Sequence, residues 1–72
     1  MTQNERLLVH LKTGKTIQPL EAWRQLGIYR LGSRIHDLRK AGHNIIREWT
    51  IVHNQWGEEC KVAEYTLEKD NA

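Results

Sequence analysis

The sequence predicts an α+β fold in which three short helices precede a β-hairpin. Three observations carry this. Up to residue 41, apolar side chains recur at helical spacing in three windows. Beyond Gly42 the period changes, and two runs rich in β-branched and aromatic residues replace it. Gly14, Pro19, Gly27 and Gly42 fall between these windows, where helices stop or start.

The first helix is expected from about Gln3 to Thr13. Thr2 and Glu5 have the Thr-x-x-Glu spacing of a capping box, and Leu7, Leu8 and Leu11 form the inward stripe. Gly14 suits a left-handed stop. His10 lies beside the stripe and reads as a residue at the solvent edge. The piece Lys15–Ile17 is extended, with Ile17 directed inward, which gives a short strand after the first helix.

Pro19 opens the second helix, where its missing N–H costs nothing. This helix carries Leu20, Ala22, Trp23 and Leu26 and ends at Gly27. Two turns are too few to hold by propensity, so tertiary packing must fix them. Trp23, like Trp49 further on, is expected in or near the core. After a turn around Gly27–Tyr29, a third helix runs from about Arg30 to Ala41. Leu31, Ile35 and Leu38 recur at i, i+4, i+7 on its buried face, and Gly42 follows as a stop.

The runs "NIIREWTIV" (44–52) and "CKVAEYTL" (60–67) are the strands, joined by "HNQWGEE" (53–59). Ile45, Trp49 and Ile51 fall on one side of the first strand, and Ala63, Tyr65 and Leu67 on one side of the second. The domain is expected to span residues 1–68, with 69–72 a frayed tail.

Charge is distributed unevenly along the 72 residues. The overall balance is +2, but residues 23–47 hold Arg24, Arg30, Arg34, Arg39, Lys40 and Arg47 against Asp37 alone. Residues 48–72 hold Lys61 and Lys69 against Glu48, Glu58, Glu59, Glu64, Glu68 and Asp70. The asymmetry suggests an anionic partner for the basic part; salt bridging between the halves is the alternative.

The third helix sharpens this reading. With its apolar stripe inward, the opposite stripe is Arg30, Ser33, Arg34, Asp37 and Ala41, with Tyr29 and Lys40 at the margins. An α-helix fits the DNA major groove, and the N-terminal half of such a helix reaches base edges. Arginine can donate two hydrogen bonds to guanine O6 and N7, and small residues such as Gly32 and Ser33 allow close approach.

Other functions find little support. A single cysteine precludes an internal disulfide, and Cys60 with His10, His36, His43 and His53 has no zinc-ligand spacing. No catalytic Ser/His/Asp or Cys/His set and no phosphate-cradling glycine loop is present, so neither an enzyme nor a metal, cofactor or small-molecule substrate is expected. No apolar run is long enough to span a bilayer, and "MTQNERLL" lacks the regions of a signal peptide, so a cytoplasmic protein is expected.

The order of helix, short strand, two helices and hairpin resembles the winged helix-turn-helix architecture. More narrowly, "QPLEAWRQLGIYRLGSRIHDLRKAGHNI" (18–45) and "AEYTL" (63–67) are similar to a family of short phage and prophage helix-turn-helix domains. The resemblance covers most of the chain. It implies binding of double-stranded DNA through the third helix, with the hairpin as the wing, by a transcriptional regulator or related DNA-site factor. By position, Tyr29, Arg30, Ser33, Arg34 and Asp37 would face bases, and Arg24, Arg39, Lys40 and Arg47 would meet phosphates. His53, Asn54, Gln55 and Trp56 would form the wing tip, although Glu58 and Glu59 beside them oppose contact with DNA. Arg39 could pair with Glu48 instead, and Asp37 is expected to orient Arg34 or Arg30. Two other roles remain open: a protein-interaction module working through the acidic, Trp56-bearing hairpin, and an excisionase-like factor that bends its site. High specificity from so small a domain would require a homodimer or tandem binding.

Overall fold

A computed structural model describes residues 1–68. Its elements are α1 (Gln3–Lys12), α2 (Pro19–Leu26), α3 (Leu31–Lys40), β1 (Ile45–His53) and β2 (Glu59–Leu67). The tail expectation for 69–72 lies outside the described residues.

Local chemistry sets the helix ends. The Thr2 side chain accepts from the Glu5 N–H at 3.1 Å, and the Glu5 carboxylate accepts from the Thr2 N–H at 3.1 Å, completing the capping box. The Thr2 backbone N–H, and after it the Thr2 hydroxyl, hold the Glu5 carboxyl below its ordinary pKa. Pro19 starts α2 as expected. Gly27 closes it with φ 67°, a conformation that costs a side-chain-bearing residue but not glycine. The reversal lets the Ile28 N–H reach the Ala22 carbonyl at 3.0 Å and drives Ile28 into the core, the apolar contact that accompanies such a helix end.

The core lies among the three helices and the base of the hairpin. Leu7, Leu11, Ile17, Ala22, Ile28, Leu31, Ile35, Leu38, Ile45 and Tyr65 are buried, with Leu8, Leu26, Ala63 and Leu67 packed against them. Ile17 makes the expected short strand as an isolated bridge, exchanging two backbone hydrogen bonds with Tyr65 at 3.0 and 2.9 Å. Three helices followed by this antiparallel hairpin constitute a winged helix-turn-helix fold.

The tryptophan expectation fails. Trp23 is 55% exposed and Trp49 61% exposed. Trp23 lies on the outer side of α2, whose one fully buried side chain is Ala22, and Leu20 is exposed with it. Trp49 shares a sheet face with Ile45, as the alternation predicts, but the hairpin projects beyond the helices. The described chain measures 42 Å in its longest direction, so the face that is core at Ile45 has nothing over it at Trp49 and Ile51.

Candidate nucleic-acid interface

α3 is held from three sides, by α1, α2 and β1. Its buried stripe is Leu31, Ile35 and Leu38, and Gly32, Ser33, His36, Arg39 and Lys40 are exposed. At 100° per residue, the centre of the outward face passes through Ser33, His36 and Lys40. His36 was not among the residues singled out from the sequence. Its spacing of three from Ser33 and four to Lys40 was the available signal.

The α3 N-terminus is electrostatically unusual. Arg30 is its N-cap residue but supplies no side-chain cap, and no acidic residue occupies the first turn. The first intrahelical bond runs from the Arg34 N–H to the Arg30 carbonyl, at 3.3 Å. The N–H groups of Leu31, Gly32 and Ser33 thus have no intrahelical acceptor. They sit at the positive end of the helix dipole, where Arg30 and Arg34 add charge of the same sign. Such an end favours an anion.

Arg34 and Asp37 act together. An Arg34 Nη2 lies 3.3 Å from Asp37 Oδ2, with both side chains partly exposed. Asn4 of α1 donates to the same oxygen at 3.5 Å. Arg34 therefore leans toward α1 on the flank of the exposed face, and its Nε is buried without an acceptor. Asp37 orients Arg34 rather than Arg30. Arg30 itself is exposed, as is Tyr29, whose ring meets Trp23 edge-on with centroids 5.7 Å apart.

The basic residues expected near phosphates are dispersed. Arg24 and Lys40 are exposed in the last turns of α2 and α3. Arg47 lies over the Trp49 ring at 5.3 Å, on the hairpin. Arg39 makes no ion pair with Glu48. Its Nε and Nη2 both donate to the Ile45 carbonyl, at 3.0 and 2.9 Å, because that carbonyl opens the unpaired edge of β1 and needs a donor.

The hairpin tip is organised by Asn54. Its Oδ1 accepts from the N–H groups of Trp56 and Glu58 at 2.9 and 3.0 Å, and its Nδ2 donates to the Glu58 carboxylate at 3.1 Å. His53 stands 4.0 Å from Glu59, Gln55 is exposed, and Trp56 is 74% exposed. The tip thus presents an aromatic ring beside two carboxylates.

The family model of the winged helix-turn-helix domain matches residues 2–70. This chain belongs to that family, whose general function is binding DNA. No curated protein and no solved structure was found to match it. No helix of the described residues is long and apolar enough to cross a membrane.

Proposed function

We propose that this protein is a sequence-specific double-stranded DNA-binding regulator that inserts α3 into the major groove. The observation that carries the reading is the α3 N-terminus, where the exposed Arg30 and N–H groups without intrahelical acceptors share one end with no acid in the first turn. Arg30, Ser33 and His36 are the base-facing candidates, with Tyr29 at the margin. Arg34 approaches from the flank under the control of Asp37. Arg24 and Lys40 flank the face as phosphate contacts. The likeness of residues 18–45 to short phage and prophage domains supports a regulatory role in that setting, acting where the DNA is, in the cytoplasm.

The test is selection from a randomised duplex pool by the wild-type chain and by the double variant Arg30→Ala/Arg34→Ala, at low and moderate salt. Wild type should enrich a motif that the double variant loses. If the variant enriches the same motif, α3 is not the reader.

The exposed Trp49 and Trp56 on an acidic arm favour a second activity of the hairpin, contact with protein rather than DNA. Salt separates the two surfaces: DNA affinity falls steeply with salt through counterion release, whereas an apolar contact responds weakly. An excisionase-like role would add a bend to the bound site, visible as a position-dependent change in gel mobility of circularly permuted fragments.

A further inference from the structure

The hydrogen-bond pattern of the hairpin fixes which backbone groups of β1 are unpaired. Tyr65 exchanges both its bonds with Ile17, so its N–H and C=O point away from β1. Arg47 stands opposite Tyr65 and belongs to a non-hydrogen-bonded pair, so its own N–H and C=O point to the outer edge. Alternation extends this to Ile45, Trp49, Ile51 and His53. The bonds from the Glu68 N–H to Asn44 and from the Asn54 N–H to Glu58 fall on the even positions, as this register requires.

Arg39 satisfies the Ile45 carbonyl, so the open edge begins at Arg47. Among the described residues, the edge groups of Arg47, Trp49 and Ile51 have no partner. They lie beside Trp49 and Ile51, which are 61% and 54% exposed. A nine-residue strand with an open, partly apolar edge is a template for another strand.

The geometry points to a second copy of this chain as the occupant, joined through antiparallel β1–β1 pairing about a two-fold axis at Thr50. Of the two-fold registers, those centred on Arg47 or Glu48 set like charges face to face, that on Trp49 sets Arg47 against the apolar Ile51, and that on Ile51 sets Arg47 against Gln55, beyond the strand. Centring on Thr50 places Trp49 opposite Ile51 of the second copy, Thr50 opposite Thr50, and Arg47 opposite His53, which neighbours Glu59. The ladder then ends where Arg39 occupies the edge. There the tip loop of the other copy, with Glu58 and Glu59, meets the basic end of α3.

Trp49 and Ile51 of the two copies then meet as cross-strand neighbours on one face of the shared sheet, which covers part of their exposed apolar surface. The paired backbone edge and the contact of the tip with α3 supply the remainder of the interface. The axis is perpendicular to the sheet, so both helical heads lie on the same side of it. Ile45 is five residues from the axis, which separates the two hairpin bases by about 33 Å along the strands.

Sedimentation velocity of the full chain without DNA tests the pairing independently of the DNA reading. At about 200 µM wild type should be dimeric, and Ile51→Lys, at an exposed position, should weaken the dimer at least about tenfold with an unchanged far-UV spectrum. Glu58→Arg/Glu59→Arg should weaken it less. The register is tested by Thr50→Cys in a Cys60→Ser background. A non-hydrogen-bonded pair brings Cα atoms to about 4.5 Å, within disulfide range, so mild oxidation should yield a symmetric covalent dimer. A monomeric wild type, a dimer indifferent to Ile51→Lys, or failure of Thr50→Cys to cross-link would each overturn the proposal. A wild type that stays monomeric leaves the edge to a strand from another protein.

Discussion

Replacing Gly32 by alanine separates what the fold needs from what the interface needs. Gly32 is the second residue of α3, has no positive φ, and a Cβ built there meets nothing within 4 Å. The fold therefore gains nothing from glycine at this position, and helical glycine costs roughly 0.5–1 kcal/mol relative to alanine through backbone entropy. Gly32→Ala should stabilise the free protein by up to that amount. For a domain of this size, it should raise the melting temperature by about 2–8 °C. The same methyl group would project from the exposed start of α3, where DNA is proposed to approach most closely. Affinity for the selected site should then fall about tenfold or more, since a clash costing ~1.4 kcal/mol already corresponds to a factor of ten. Thermal denaturation by circular dichroism reads the first effect, and fluorescence anisotropy with a labelled duplex reads the second. A destabilised variant would refute the packing argument. A stabilised variant with undiminished DNA affinity would show that this end of α3 does not meet DNA closely.

Two further perturbations address charge. Asp37→Asn releases Arg34 from its ion pair; because that pair is partly exposed, stability should change by less than about 1 kcal/mol. Binding to a generic duplex should tighten, and the plot of log affinity against log salt should steepen by about 0.9 if Arg34 gains a phosphate; an unchanged slope would show that release from Asp37 adds no phosphate contact. The Glu5 carboxyl titrates below its ordinary value in the folded chain, so its stabilising contribution is complete above that ordinary value and disappears as pH falls through the lowered one. In acid titrations followed by circular dichroism, Glu5→Gln, which removes the titrating carboxyl, should remove this part of the pH dependence, and a variant that titrates like wild type would contradict the capping account.

The helices were legible because their signals are local. Thr2 and Glu5 three residues apart, Pro19 at a first turn and Gly27 after a last one each state their backbone geometry without reference to the rest of the chain. Ile28 was less visible, since a single apolar residue between glycine and tyrosine carries no periodicity. Its burial follows from the left-handed end that Gly27 makes. On the exposed face of α3, the helical wheel put Ser33 outward, set Lys40 at the margin, and could have included His36. It set Arg34 on the outward stripe, whereas the burial of Leu31, Ile35 and Leu38 puts Arg34 on the flank, paired with Asp37; the bond from Asn4 to Asp37, 33 residues apart, was not legible from spacing.

The amino-acid sequence alone determined the order of the elements, the inward stripes of α1 and α3, and the concentration of positive charge on residues 23–47. Each depends on spacing along the chain, which hydrophobic periodicity and capping read directly. Tertiary structure decided the rest: that Trp23 and Trp49 face outward, that Arg39 serves the Ile45 carbonyl, and that the edge of β1 stands open. Apolar character makes a side chain suitable for burial, but burial also requires a surface to pack against. Along the projecting half of the hairpin the described residues supply none.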